Sequence, residues 1–177
     1  MFHYPNARMS RYVAEILDLD VIETSEDDLW KLIASMVEKD HVEAVISGAI
    51  ASDYQKTRIE AACTELGIMS YTPLWRMDQE KELMEIIARG IVPIIVSVSA
   101  EGFDSTDLGV KIDTEYLEIL KKKNARYGIN ITGEGGEYET FVIGTSYGKK
   151  IFIEKSEILW QGSHGYFIIN SAKTEEQ

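Results

Sequence analysis

From residue 21 to residue 98, short apolar β-like segments alternate with capped, amphipathic helical segments, and this alternation restricts the possible fold severely. Val21–Glu23 reads as a short strand. Ser25-x-x-Asp28 then opens a helix in which Leu29, Leu32, Ile33, Met36 and Val37 recur at helical spacing. Glu43–Ser47 is the next strand. Ser52-x-x-Gln55 caps a helix with Ile59, Ala62, Cys63 and Leu66 on one face and Gly67 at its end. Ile68–Tyr71 is a third strand. Asp78 caps a helix carrying Leu83, Ile86 and Ile87, stopped by Gly90. Ile91–Val98 is strongly β-like, with Pro93 placing it near a strand start or a sheet edge. Strands separated by helices pair in parallel through right-handed crossovers, so the expected class is α/β with a doubly wound parallel sheet. Ligands of such sheets bind beyond the carboxyl ends of the strands.

The second half changes character. Asp113–Tyr127 reads as a helix with Tyr116, Leu117 and Leu120 on one face. Its Lys121–Lys123 run, late in the helix, is explained by solvation and the macrodipole. Thr140–Ile143, Lys150–Ile153, Glu157–Trp160 and Tyr166–Ile169 follow, separated by Gly-containing turns, and read as an antiparallel meander. The boundary falls near Trp75–Asp78. This gives an expected first domain over 1–74 and a smaller mixed α/β domain over 75–177.

Bulk properties remove several function classes. A net charge of −12 offers no cationic excess for phosphate neutralisation and argues against a nucleic-acid surface, and weakly against anionic membranes. One cysteine, Cys63, excludes an intramolecular disulfide framework and a multi-cysteine zinc site. It lies within a helical pattern and reads as a small buried hydrophobe. His3, His41 and His164 make no metal-spaced pair, and no stretch approaches the length of a membrane span. The chain is expected to be soluble and cytoplasmic, with no all-protein metal cage.

Two segments carry chemistry. Gly133-Glu134-Gly135-Gly136-Glu137-Tyr138-Glu139-Thr140 packs three carboxylates and three glycines into eight residues. In an extended chain Glu137 and Glu139 share one side and Tyr138 takes the other. Such a loop suits a cation, a metal-bound phosphate or an amine nucleophile; the plain alternative is an acidic hairpin connection. Gly48-Ala49-Ile50-Ala51-Ser52-Asp53-Tyr54-Gln55 sits where a strand ends and a helix begins. Free N–H groups at that junction suit phosphate or carboxylate, although many such junctions are small and polar merely to turn tightly.

Together the two segments resemble one family. Ser47-Gly48-Ala49-Ile50-x-Ser52-x-Tyr54-Gln55-x-x-Arg58, then Leu74-Trp75, then Gly133 to Phe141, is similar to the archaeal and eukaryotic diphthine–ammonia ligases, also described as N-type ATP pyrophosphatases or diphthamide synthases. The likeness extends to Met1-Phe2-His3-x-Pro5-Asn6, Val96–Gly102 and Leu108-Gly109. It implies a Rossmann-like nucleotide α-hydrolase domain followed by a smaller α/β domain. It also implies the family reaction: ATP activates the diphthine carboxylate of translation elongation factor 2, and ammonia then displaces AMP to give diphthamide. The family's Ser-Gly-Gly-x-Asp-Ser phosphate loop is not found in these residues, whose one Gly-Gly pair is Gly135-Gly136. The likeness begins partway into the family pattern, so the first βαβ unit is expected to be missing and residues 1–177 alone to be a poor ligase.

The resemblance assigns roles. Gly48, Ala49, Ile50 and Ser52 would bind nucleotide. Tyr54, Gln55, Arg58, Gly135, Gly136 and Tyr138 would bind substrate, and Glu134, Glu137 and Glu139 would be catalytic, attracting the trimethylammonium of diphthine or deprotonating ammonium. Arg58 either supports Tyr54 and phosphate or forms a surface ion pair. Trp75 is expected to be a buried aromatic hinge, with the cleft as the alternative, and His3 and Asn6 would border the nucleotide. ATP with Mg²⁺ is the implied cofactor set. The two segments are expected to face one cleft. A non-catalytic remnant that binds nucleotide or protein, or an RNA-modifying adenylating enzyme, are the competing readings; the charge opposes the latter. A sheet edge left open would favour a homo-oligomer.

Overall fold

The structure is a computed structural model that describes residues 6–146 and 148–176. It divides into two compact units. One is Ile22–Met77; the other joins the segment ending at Val21 to Asp78–Gln177.

The first unit is built on a βαβ crossover. Strands β1 (Ala44–Ile46) and β2 (Met69–Tyr71) pair in parallel, with Ala44 opposite Met69 and Ile46 opposite Tyr71. Helix α3 (Asp53–Leu66) connects them, and α2 (Leu29–Asp40) precedes β1. Ser52 caps α3 by accepting from Gln55 N at 3.3 Å, and Gly67, at φ 68°, ends it in the left-handed region that a side chain disfavours. Ile59, Ala62 and Cys63 form its buried face, and burial raises the Cys63 thiol pKa. The Trp30 indole on α2 donates to Glu65 on α3 at 3.1 Å.

Val21–Glu23 is not a strand. Val21 and Ile22 are 46% and 56% exposed and pair with no strand, because two apolar residues among Asp18, Asp20 and Glu23 offer too little surface to bury. Ser25 behaves as a cap one turn early: its hydroxyl accepts from Asp28 N at 3.1 Å and donates to the Asp28 carboxylate.

The second unit is a four-stranded antiparallel sheet, β3 (Val92–Val98), β4 (Tyr138–Gly144), β5 (Lys149–Gln161) and β6 (His164–Glu176), which closes through β3–β6 pairing. The Ile91–Val98 segment therefore pairs antiparallel with β4 and β6, not in a parallel sheet. Its unbroken apolar run resembles a parallel strand because both of its faces are buried. Ile94 and Val96 face α1 (Ser10–Ile16) and the cluster of Phe141, Ile151, Ile169 and Ala172. Ile95 and Val98 face the other cluster, with Leu83 of α4 (Gln79–Ala88) and Tyr116, Leu117 and Leu120 of α5 (Thr114–Tyr127). A register shift between Ile95 and Ser97 changes the strand's phase and lets Val98 join Ile95.

The segments Lys150–Ile153 and Glu157–Trp160 are one strand, not two. Glu154-Lys155-Ser156 contains no turn-forming glycine, and two register shifts at Lys155 take up the irregularity. The turn comes at Gly162-Ser163, beside His164. Asn6 belongs to this unit and is 3% exposed. Its amide donates to Phe167 O at 2.8 Å and accepts from Ile169 N at 2.9 Å, so both of its functions serve β6. His3, expected with Asn6 to border the nucleotide, lies outside the described residues. Among the described residues no helix is long and apolar enough to cross a membrane.

Candidate functional site

In the first unit, Ser47 leaves β1 and its N–H donates to Tyr71 O of β2 at 2.9 Å, which places Gly48–Ser52 at the carboxyl end of the parallel pair. Ser47 Oγ accepts from Ala49 N at 3.2 Å and folds the turn back. Ala49 is buried, whereas Gly48 is exposed with nothing within 4 Å of where a Cβ would stand. An open backbone beside a helix N-terminus fits a phosphate-bearing group. Arg76, at φ 55°, donates its N–H to Ile50 O at 2.8 Å and ties the 74–76 segment to this turn.

Three side chains flank the turn. Trp75 is half-buried rather than a buried hinge; Lys56 Nζ and the Arg76 guanidinium lie 5.3 Å and 5.5 Å from its ring centre. The cations favour its π face, which keeps the ring partly in solvent. Tyr54 is 58% exposed, and its hydroxyl donates to Glu26 Oε1 at 2.6 Å. Arg58 donates to Tyr54 Oη at 2.7 Å and to Glu26 Oε1 at 3.0 Å, so it supports Tyr54 across one helical turn while pairing with Glu26. Glu60 instead pairs with Lys56. Gln55 lends its backbone N–H to the Ser52 cap.

In the second unit the Gly/Glu segment forms a tight loop running into β4. Gly133 has φ 76°, and a Cβ there would lie 2.6 Å from Tyr138 O, so only glycine fits. A Cβ on Gly135 would lie 2.6 Å from Glu137 Oε1. The Glu137 carboxylate thus lies against the loop backbone, and its Oε1 accepts from Asn130 N at 2.8 Å. Ser99, directly after β3, binds the loop: its N–H donates to Glu137 O at 2.8 Å and its hydroxyl donates to Gly136 O. Tyr138 points into the core at 3% exposure, its hydroxyl donating to Ile131 O, while Glu134, Glu137 and Glu139 are half-buried. The phenol pKa is raised by burial and then by the charges of Glu137, Glu82 and Glu134.

Glu82 is the residue that the motif does not include. It lies on α4, 3% exposed, and its Oε2 is buried without a hydrogen-bond partner. Gln79, one turn earlier, accepts from Ile131 N at 2.7 Å and fastens the helix to the loop. Glu82 lies next to Leu83 and four residues before Ile86, so an acid intruding on an apolar helical stripe was the available signal. Burial, and then the charge of Glu134, push its pKa up to about 7. An unfolded glutamate titrates near ~4.3. The folded protein therefore holds this proton to higher pH than the unfolded chain does. Its contribution is fully present below about pH 4.3 and is lost as pH rises through about 7. Glu82→Gln is expected to remove that slope, gaining on the order of 2 kcal/mol relative to the native protein on going from pH 5 to pH 8. Urea unfolding at the two pH values measures it, and an unchanged slope would assign the titration elsewhere.

The late lysines of α5 are not merely solvated. Lys123 Nζ donates to Asp107 Oδ2 at 3.0 Å and to Gly102 O, and it lies 4.5 Å from the Phe103 ring centre. Lys121 bonds Glu80 and Glu118, each at 2.9 Å. The described residues contain no group of three His, Cys, Asp or Glu side chains arranged to hold a metal ion.

Comparison with known proteins places these features. The family profile described as the diphthamide synthase N-terminal domain matches residues 1–70, and the diphthamide synthase C-terminal domain matches residues 78–174. The chain is 39% identical over 144 residues to the diphthine–ammonia ligase of Bos taurus, covering 79% of this chain and 53% of that protein. The Homo sapiens diphthine–ammonia ligase is 40% identical over 137 residues, 75% of this chain and 50% of that one. The Schizosaccharomyces pombe (strain 972 / ATCC 24843) diphthine–ammonia ligase is 37% identical over 150 residues, 83% and 25% respectively. The chain thus spans about half, or less, of the length of these curated relatives.

Proposed function

Because the chain belongs to the diphthamide synthase family, we propose that it serves the ATP-dependent amidation of diphthine on translation elongation factor 2, with ammonium as the nitrogen source. The observation that carries this reading is the Gly/Glu loop. Its carboxylates are held partly out of water around Tyr138, an environment that attracts a cationic nitrogen and can relieve it of a proton.

ATP, when bound, supplies the adenylyl group that turns a carboxylate into an acylating agent. The residues that would hold it are Gly48, Ala49, Ile50 and Ser52, where the backbone is open and the α3 N-terminus favours negative charge. Mg²⁺ would arrive with the phosphates, since it keeps several waters and needs few protein ligands. Tyr54, Gln55 and Arg58 follow on the same helix, and Arg58 fixes the Tyr54 hydroxyl. In the second unit Gly136 leaves room over the loop, and Gly135 lets the Glu137 carboxylate lie close against the backbone. Glu137 braces it through Asn130, and Glu134 and Glu139 supply further negative charge. The partners implied are the diphthine form of elongation factor 2 and ammonium.

Gly48→Trp tests the nucleotide half. No atom lies near its Cβ, so folding should be untouched, while ATP affinity by calorimetric titration should fall about tenfold or more, about 1.4 kcal/mol. Unchanged affinity with normal stability would remove the β1–α3 turn from the site.

A further inference from the structure

We propose that Glu82, on α4 and outside the Gly/Glu motif, is the seat and proton acceptor of the incoming ammonium. This rests on the diphthamide synthase reading and gives the nitrogen donor its place within it.

The placement comes from independent observations. Glu82 is 3% exposed with Oε2 lacking a hydrogen-bond partner. A buried carboxyl in that state costs stability unless something donates to it. Glu137 repeats the situation: Oε1 is taken by Asn130 N, whereas Oε2 is buried without a partner. The charges of Glu137, Glu82 and Glu134 all act on the Tyr138 phenol, and the charge of Glu134 acts on Glu82 as well. The Gln79–Ile131 and Tyr138–Ile131 bonds hold helix and loop in register there. Among the described residues no lysine or arginine forms an ion pair with Glu82 or Glu137.

The chemistry of the acceptors selects the ligand. Orphaned carboxylate oxygens accept N–H donors, which ammonium has and a quaternary ammonium lacks. Mg²⁺ demands octahedral oxygens and reluctantly sheds its waters, which suits a closed pair of glutamates poorly. A carboxyl raised by burial is also a stronger base than an exposed one, and suited to neutral pH.

The step balances as follows. One proton passes from ammonium to the Glu82 carboxylate, which becomes the neutral acid, and the nitrogen keeps the electron pair of that N–H bond. That pair forms the C–N bond to the activated diphthine carbonyl carbon as the bond from that carbon to the adenylate oxygen breaks. The adenylate leaves with its electron pair, and the surplus proton on nitrogen passes to solvent.

The test is a carboxyl ¹³C NMR titration of the glutamate-labelled protein with ammonium chloride, and in parallel with tetramethylammonium chloride at equal ionic strength. The Glu82 resonance is identified by its loss in Glu82→Gln. It should shift saturably with ammonium and not with tetramethylammonium; no shift, or equal shifts, overturns the proposal. In an amidation assay of residues 1–177 joined to a relative's Ser-Gly-Gly-x-Asp-Ser segment, Glu82→Gln should lose about 100-fold in ammonium-dependent rate and recover with hydroxylamine, which is neutral at pH 7. Equal losses with both nucleophiles would likewise overturn it. A protein that titrates with ammonium yet amidates nothing would retain the ammonium site and lose the functional reading.

Discussion

Asp107→Ala is expected to destabilise the protein by about 3–5 kcal/mol, read as a fall in the urea midpoint. Asp107 is 7% exposed and holds three groups at once. Tyr116 Oη donates to its Oδ1 at 2.5 Å, Lys123 Nζ to its Oδ2 at 3.0 Å, and Asp104 N to its Oδ2 at 2.8 Å. Removing the carboxylate leaves the Lys123 ammonium, whose side chain is 15% exposed, without its countercharge, and the buried Tyr116 hydroxyl without an acceptor. Burial, the largest cause of the raised Tyr116 pKa, persists without Asp107, so the phenol cannot escape by ionising. Asp107→Asn keeps one acceptor and should cost less. Lys123→Met removes the stranded charge, so the double variant Asp107→Ala/Lys123→Met should recover part of the loss. A loss below about 1 kcal/mol for Asp107→Ala would place this cluster among solvent-screened pairs.

Glu137→Gln should leave the fold intact and depress amide formation by about 100-fold or more. The substitution preserves an oxygen able to accept from Asn130 N, so the loop's brace survives while the charge and the second acceptor are lost. Glu137→Ala removes the brace as well and opens space beneath Gly135, so it should lose both activity and local order. ATP affinity should change little in Glu137→Gln, because the loss belongs to the nitrogen-transfer half. Equal losses in ATP binding and amide formation would make Glu137 a structural residue alone.

Local chemistry was legible in the sequence, and long-range pairing was not. Ser52, Asp78 and Asp113 cap α3, α4 and α5, and Gly67 and Gly128 end α3 and α5, because caps depend on residues within one turn. The β1–α3–β2 unit followed from the same signals. Strand β3 misled because burial on both faces gives the same apolar run whichever way its neighbours point, and only its partners in β4 and β6, far along the chain, decide. The long β5 was divided because a change in register at Lys155 leaves no glycine or proline in the sequence. At the candidate site the Gly/Glu loop was visible as a run of unusual composition. Glu82 reaches the same point from α4, and contributions from a distant helix carry no local pattern beyond an acid on an apolar stripe. Lys123 shows the converse: its place late in a helix suggested solvation, yet Asp107, Gly102 and Phe103 claim it.

The central claim is that this chain's Gly/Glu loop serves nitrogen transfer onto an activated diphthine. Mass spectrometry of diphthine-bearing elongation factor 2 tests it most directly, in a protein that joins residues 1–177 to a relative's Ser-Gly-Gly-x-Asp-Ser segment, supplied with ATP and ¹⁵N-ammonium. The account predicts ¹⁵N-diphthamide, formed with stoichiometric AMP and strongly reduced by Glu137→Gln. Undiminished ¹⁵N incorporation in Glu137→Gln would contradict it.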